Sequence, residues 1–143
     1  MRNRILAIVY LLLLFFIIPQ NRLKAETSNR IISLIPSSTE MLFSIGFGNE
    51  VVAISKYCNY PSREIEGLPR IGDQNLNVEK ILSLKPTILV DTNGIHKRYE
   101  ELFQKLKLNY LNLSIKSIED VPLEAARLAK ILGNKGKADD FIN

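Results

Sequence analysis

The side chains best suited to metal or nucleophilic chemistry occur once each in this sequence. His96 and Cys58 are the only histidine and the only cysteine, so most pairs of a nucleophile with a base cannot be built. There is no G-x-S-x-G turn, no pair of histidines at helical spacing and no glycine-rich phosphate loop. A loop histidine beside Lys97 and Arg98 is usually solvated, and a buried, inert thiol is the commoner fate of a lone cysteine. We therefore predict a protein that is not an enzyme and holds no metal or cofactor.

Polar and aromatic residues instead collect after the apolar runs of the chain. Three β-branched runs predict buried strands: Ile31–Ile35, Val51–Ile54 and Thr87–Val90. Each is followed by a loop: residues 36–39, 55–61 and 91–96. Ligands of open α/β sheets bind outside the carboxyl ends of the strands. The three loops are therefore the predicted binding region.

Helical patterns alternate with these strands. Ser37 with Glu40 forms a capping-box pattern that predicts a helix beginning at Ser37, and Asn77 can cap a short helix that ends before Pro86. Two more helices are predicted, over residues 97–107 and from Ser117 to Gly133, with a fourth strand at 109–113 between them. This alternation predicts a single α/β lobe with a mainly parallel sheet flanked by helices.

Residues 1–25 have the layout of a secretory signal peptide. Arg2 and Arg4 precede an uncharged run of 14 residues, Ile5–Ile18, and Pro19 ends it. A membrane-spanning helix needs about 20 apolar residues, so we expect cleavage near Ala25, with an uncleaved N-terminal anchor as the alternative. No cysteine near this run could take a lipid, and we therefore predict a periplasmic protein that is not a lipoprotein.

The excess of basic residues belongs to this leading segment. Residues 1–25 contain four basic side chains and no acidic one, whereas residues 26–143 carry 15 basic and 15 acidic side chains. A nucleic-acid footprint needs surplus Lys and Arg on the folded domain. We therefore predict no nucleic-acid partner.

Three blocks of the sequence resemble class III periplasmic binding proteins, which deliver vitamin B12, iron siderophores and haem to ABC importers. The blocks are Arg30–Glu40, Val52–Pro61 and Asn77–Val90. They follow one another in the order and at the spacing of the family, and the second has the form seen among cobalamin binders. The resemblance implies a substrate-binding component that captures a corrinoid, with an ABC importer permease and its ATPase as partners. A siderophore or haem binder of the same class remains an alternative.

The resemblance also implies which residues meet the ligand. Pro36 and Ser37 match the corner between strand and helix that touches the ligand, and the helix N-terminus offers free backbone N–H groups there. Tyr57 matches a position that packs on the corrin face, for which a flat aromatic ring with a hydroxyl is suited. Tyr60, which precedes Pro61, is expected to be a packing residue.

One departure from the family concerns the ligand. Asp73 and Gln74 fall near a position that the family often fills with a stacking tryptophan, and this chain has no tryptophan. We keep both as predicted ligand-binding residues, but their identity leaves haem or a siderophore open. His96 could then be an axial ligand to haem iron or cobalt.

Glu79 matches the family acid that docks this lobe onto arginines of the permease. A carboxylate on an exposed helix can accept a bidentate arginine pair, whereas without the motif it would be a solvated acid favoured by the helix dipole. The resemblance assigns residues 26–134 to the N-terminal lobe and residues 135–143 to the start of the helix that joins two lobes. We therefore expect a fragment or a truncated product, with a non-transport interaction domain of the cell envelope as a further alternative.

Overall fold

The structure is a computed structural model that describes residues 29–138. Strands and helices alternate along this range: β1 (Ile31–Ser33), α1 (Pro36–Ser44), β2 (Val51–Ile54), α2 (Val78–Ser83), β3 (Ile88–Thr92), α3 (Glu100–Lys105), β4 (Tyr110–Leu113) and α4 (Asp120–Ile131). Short 3₁₀ turns lie at Gly48–Glu50, Lys97–Tyr99 and Lys135–Ala138. The predicted signal peptide and residues 139–143 lie outside the described residues.

The four strands form one parallel sheet in the order β2-β1-β3-β4. Ile31 pairs with Val51 on one side and with Ile88 on the other, so the first strand is central. Parallel neighbours require crossover connections, and the helices supply them. The predicted α/β class with a mainly parallel sheet is confirmed.

Both faces of the sheet are covered, which explains why the strand sequences are almost uninterrupted apolar runs. On one face, Ile31, Val90 and Leu113 pack in a cluster that includes residues of α1 and α4. On the other, Ile32 and Leu89 pack in a second cluster with residues of α2 and α3. The core is therefore divided by the sheet. Its buried polar residues lie at the carboxyl ends of the strands, in the first turn of α1 and in the turn after β3.

Two boundaries differ from the sequence-based expectation. The capping box at Ser37 is wrong: α1 begins one residue earlier at Pro36, Ile35 is the N-cap, and no side chain caps it. Proline favours the first helical position because its fixed φ suits a helix and its missing N–H would be unpaired there. β3 continues through Asp91 and Thr92, so the loop predicted at 91–96 begins only at Asn93.

The other helices agree more closely with prediction. Asn77 caps α2, since its side chain accepts a hydrogen bond from the backbone N–H of Lys80 at 2.8 Å. The helix expected over 97–107 is a 3₁₀ turn followed by α3. Within residues 29–138 no helix combines the length and the apolar character needed to cross a membrane.

Candidate functional site

The carboxyl ends of β1 and β3 mark the point where the sheet order reverses. From β1 the chain crosses to β2 on one side, and β3 then returns to the other side. Ligands of open α/β sheets bind at such a switch point. The first turn of α1 lies here, because Ser38 Oγ is 3.3 Å from Thr92 Oγ1 at the end of β3. No side chain caps this helix at Ile35, so its first backbone N–H groups can serve a ligand.

A buried network of hydroxyl and thiol groups joins α1 to the loop after β2. Thr39 Oγ1 donates to Ser33 Oγ at 2.7 Å and lies 3.0 Å from Cys58 Sγ. Ser55 Oγ is 3.3 Å from the same sulfur. All four residues are at most 3% exposed, so the thiol is buried as predicted. The network fixes the ends of the segment that carries Tyr57.

The loop after β2 is also fastened to the segment that leads into α2. The backbone N–H of Lys56 donates to the carbonyl of Gly72 at 2.6 Å, and the Arg70 guanidinium donates to the carbonyls of Ser55 and Cys58. Gly72 has φ 109°, and a Cβ there would collide with the carbonyl oxygen of Asn75. Glycine is therefore required for this close approach. This hydrogen bond joins Lys56 to Gly72, and Tyr57 and Asp73 are the residues that come next along the chain from each of them.

A second buried cluster, which we call the charged cluster, consists of Asp91, His96 and Tyr110. Asp91 Oδ2 accepts from the backbone N–H of His96 at 2.8 Å and from the Tyr110 hydroxyl at 2.7 Å. His96 Nδ1 lies 3.4 Å from Asp91 Oδ1, and His96 Nε2 lies 3.0 Å from the carbonyl oxygen of Asp73. Asp91 is 0% and His96 2% exposed. The expectation of a solvated His96 is therefore wrong.

These contacts shift the ionisation of the cluster. Burial lowers the pKa of His96, but the hydrogen bonds to Asp91 and Asp73 and the charge of Asp91 outweigh burial, so the pKa lies above its ordinary 6.5. Burial likewise raises the pKa of Asp91, yet the donors from His96, Tyr110 and Thr92 bring it below the ordinary 3.8. Burial and the bond to Asp91 raise the pKa of Tyr110. Both shifts favour the ionised pair, an imidazolium beside a carboxylate, over the neutral pair.

The predicted ligand residues lie around this edge with different exposures. Tyr57 is 59% exposed, Ser37 is exposed and Pro36 half-buried in the first turn of α1. Asp73 is half-buried, and its Oδ1 accepts from the backbone N–H of Asn75 at 2.9 Å.

Three further side chains bear on these predictions. Gln74 is exposed. Tyr60 is 62% exposed, which contradicts its expected role in packing. Glu79 is exposed in the first turn of α2, two residues after the cap Asn77.

The comparison with known families decides what kind of protein this is. The family model described as "Periplasmic binding protein" matches residues 31–143. The chain belongs to the periplasmic binding protein family. This match confirms the family resemblance that the three sequence blocks indicated, and it confirms the fold that the resemblance implied.

Relatives of this periplasmic binding protein differ in their named ligands. A vitamin B12-binding protein of Vibrio cholerae is 42% identical over 76 residues, which cover 52% of this chain and 27% of that protein. The crystal structure of the periplasmic vitamin B12 binding protein BtuF of Vibrio cholerae matches with a TM-score of 0.71 and 28% identity, over 78% of this chain and 44% of that one. The apo periplasmic heme-binding protein RhuT from Roseiflexus sp. RS-1 matches with a TM-score of 0.72 and 26% identity, over 80% and 45%.

A third relative bears on anchoring. An uncharacterized ABC transporter substrate-binding lipoprotein, YvrC of Bacillus subtilis, is 29% identical over 117 residues, which cover 79% of this chain and 37% of that protein. The chain thus spans less than half the length of each of these relatives. All of them are named as binding proteins, and the name of YvrC assigns it to an ABC transporter.

The charged cluster is what sequence reasoning missed in this periplasmic binding protein. Asp91 was assigned to a loop, although it directly follows the apolar run that ends at Val90. A buried aspartate needs a partner, and the only histidine of the chain stands five residues later. That spacing is the signal that could have predicted the pair. Among the described residues no group of three potential ligating side chains is placed to hold a metal ion.

Proposed function

We propose that this chain provides the N-terminal lobe of an ABC importer's substrate-binding protein, and that its carboxyl edge takes a corrinoid between this lobe and a second one. The observation that carries the proposal is the position of Tyr57. Its ring is 59% exposed on a loop whose ends are buried and hydrogen-bonded. A large aromatic ring held out on a rigid loop suits stacking against a flat, amphipathic ligand.

Neighbouring groups complete the proposed surface. Pro36 and Ser37 would contact the ligand from the first turn of α1, where backbone N–H groups can meet polar substituents. Asp73 and Gln74 would border it from the segment joined to the Tyr57 loop through Lys56 and Gly72. In this proposal the permease docks through Glu79, and the ATPase acts on the permease.

Haem is the second candidate, supported by the likeness to RhuT. His96 does not suit the role of axial ligand, since it is 2% exposed and its ring nitrogens face Asp91 and the Asp73 carbonyl. Tyrosine can also ligate haem iron. Tyr57 and Tyr60 are the exposed phenols that could do so here.

Export through residues 1–25 belongs to the same proposal, with the periplasm as destination and no lipid anchor. The Bacillus subtilis relative is named as a lipoprotein, so the absence of a lipid anchor from this chain needs its own measurement. The intact mass of exported protein should correspond to a chain lacking residues 1–25. A mass that retains Met1 would indicate an anchor instead.

Ligand titration tests the site. Calorimetry with cyanocobalamin and with haemin should give tight binding for a protein carrying both lobes. The 143-residue chain should bind weakly, because pockets bury about 70–90% of a ligand and the chain supplies one side. Tyr57→Ala should weaken binding of cyanocobalamin by about tenfold or more, and Tyr60→Ala is the matched control on the same loop for this ligand. Wild-type affinity in Tyr57→Ala would remove the proposed role of this ring.

Docking is tested by a contrasting pair of variants. Glu79→Ala should leave ligand affinity nearly unchanged but weaken binding to the permease, because truncating one partner of a buried ion pair costs about 2–5 kcal/mol. Glu79→Lys should bind still more weakly, since it adds repulsion against an arginine. Surface plasmon resonance with the permease in nanodiscs measures this, with Tyr57→Ala as the variant that should dock normally. Normal docking of Glu79→Ala would return this residue to a solvated acid at a helix start.

A further inference from the structure

The turn at residues 96–99 makes hydrogen bonds to the segment that leads from the Tyr57 loop to α2. Beyond the contact of His96 with the carbonyl of Asp73, the Arg98 guanidinium donates to the carbonyl of Gln74 and to Asn75 Oδ1. The Tyr99 hydroxyl accepts from the backbone N–H of Leu76 at 3.1 Å. Residues 96–99 therefore hold residues 73–76, which we call the bridging segment.

Of these contacts, the one from His96 is the deepest. Arg98 is exposed, whereas His96 is buried and rests on Asp91, which lies near the carboxyl end of β3 and pairs with Asn112 of β4. Asp91 is itself fixed by Tyr110, whose ring packs against Phe103 at a centroid distance of 5.6 Å. The imidazole thus connects the carbonyl of Asp73 to the sheet, while Leu76 at the other end of the segment packs in the second apolar cluster.

The two neighbours of that imidazole define its protonation. A carboxylate oxygen faces Nδ1 and a carbonyl oxygen faces Nε2, and both are acceptors. A neutral imidazole carries one N–H and would leave one acceptor facing a lone pair, whereas the imidazolium donates at both nitrogens. His96 therefore donates hydrogen bonds to both Asp91 and the Asp73 carbonyl only when its ring is charged.

We propose that His96, as an imidazolium, is a positioning residue that clamps the bridging segment to the carboxyl edge of the sheet and releases it when it loses its proton. The clamp holds Asp73 and Gln74 at the edge. The backbone N–H of Asn77, the cap of α2, donates to the carbonyl of Ile71, so the segment ends directly before this helix. Its consequence for ligand capture and docking rests on the proposed function.

The charges around His96 are accounted for from each neighbouring element. β3 contributes Asp91, β4 contributes Tyr110, and the bridging segment contributes the backbone carbonyl of Asp73. The turn that carries His96 contributes Arg98, whose charge opposes protonation, and the Tyr99 ring at 6.4 Å. Glu100 at the start of α3 acts on Tyr110. Asp91 is the carboxylate that bonds the imidazole.

Nuclear magnetic resonance of the untagged full chain tests the clamp directly, because a single histidine gives unambiguous ¹⁵N imidazole signals. Both ring nitrogens should carry protons at neutral pH. The backbone amides of Gln74, Asn75 and Leu76 should shift with the same midpoint as the imidazole as pH rises. A neutral ring with one N–H at neutral pH, or amides that ignore its titration, would overturn the proposal.

Variants separate the clamp from simple packing. In His96→Gln the pH-dependent shifts of these amides should vanish, and their hydrogen exchange should quicken by about tenfold or more, since a hydrogen bond to a charged group is lost. Lys97→Gln removes a neighbouring exposed charge and should behave like wild type. If His96→Gln does not fold, the wild-type titration alone decides.

A ligand arm distinguishes this proposal from the proposed function. With both lobes present, His96→Gln should bind cyanocobalamin or haemin about tenfold more weakly than Lys97→Gln, because an ordered edge must first be recovered. Binding of neither probe by wild type would count against the proposed function, while the imidazole and amide titrations would still decide the clamp. Equal affinity in the two variants, with wild-type binding intact, would contradict the clamp's role in capture.

Discussion

The two halves of the carboxyl edge each hold one loop segment in place, but they do so with different chemical groups. Beside β2, the hydroxyls and the thiol around Thr39 hold the Tyr57 loop together with the Arg70 guanidinium. We call this the neutral half, because among the described residues it contains no ion pair. Beside β4, the charged cluster holds the bridging segment through Asp91 and His96. Both halves are buried, and within the described residues no buried side-chain nitrogen or oxygen lacks a partner. The difference is that only the second half depends on pH near neutrality.

Removing the carboxylate should have the largest effect on stability. Asp91→Ala leaves the imidazolium, the backbone N–H of His96 and the Tyr110 hydroxyl without their acceptor, and breaking a buried ion pair in this way costs about 3–5 kcal/mol. Urea unfolding at neutral pH measures the loss. Asp91→Asn, which keeps the volume but not the charge, should lie between wild type and Asp91→Ala. If Asp91→Ala lost less free energy of unfolding than a variant of the neutral half, the comparison between the two halves would be reversed.

Breaking a contact in the neutral half should lower the free energy of unfolding by a smaller amount. Thr39→Val keeps the shape of the side chain but removes the hydroxyl shared by Ser33 and Cys58, and an unsatisfied buried polar group costs about 1–3 kcal/mol. Thr39→Ser retains the hydroxyl and serves as its control. Urea unfolding of all three proteins gives the free energies. If Thr39→Val and Thr39→Ser were equally destabilised, the lost methyl contacts rather than the hydrogen bonds would be responsible.

The smallest effect expected is the pH dependence of stability. The pKa of His96 is raised on folding, so its contribution is complete below its ordinary 6.5 and is lost as pH rises through the folded value. The pKa of Asp91 is lowered, so its contribution is present above the ordinary 3.8 and is lost as pH falls through the folded value. The cluster therefore stabilises the fold between these two transitions.

Unfolding free energies measured from about pH 4 to pH 8 check this dependence. The difference between wild type and His96→Gln should shrink toward the alkaline end. Thr39→Val should remain parallel to wild type over the same range, because its groups do not ionise there. Parallel curves for His96→Gln would show that the buried ring contributes through packing alone.

The sequence predicted the framework well because the framework depends on local patterns. Apolar runs predicted three of the strands, the alternation of polar and apolar residues at 109–113 predicted the fourth, and Asn77 was correctly identified as the cap of α2. The start of α1 was misplaced by one residue, since the geometric preference of Pro36 outweighed the capping pattern at Ser37 and Glu40. The α/β class and its parallel sheet followed from such short-range signals. Two of the predicted loops did not hold in full, since residues 36–39 lie in α1 and residues 91 and 92 lie in β3.

The site was harder to predict because its contacts join distant segments. His96 stands in a polar stretch, and its burial depends on Asp73 and Tyr110 as much as on its neighbours. Tyr60 precedes a proline on a loop and gave no signal that it would be exposed. The roles assigned to Tyr57 and Glu79 came from the family resemblance and stay predictions until the variants are measured.

The central place of the first strand has a consequence for how the chain acquires its structure. β1 emerges first from the ribosome, yet it cannot be hydrogen-bonded on both sides until Val51 and then Ile88 have been made. Pairings so far apart in sequence slow folding, because the loop between them must be closed before any contact compensates for the lost chain entropy. The sheet therefore cannot be completed on both sides of β1 until the chain has been made as far as β3. Such a delay agrees with the export proposed above, which requires a chain that has not yet folded.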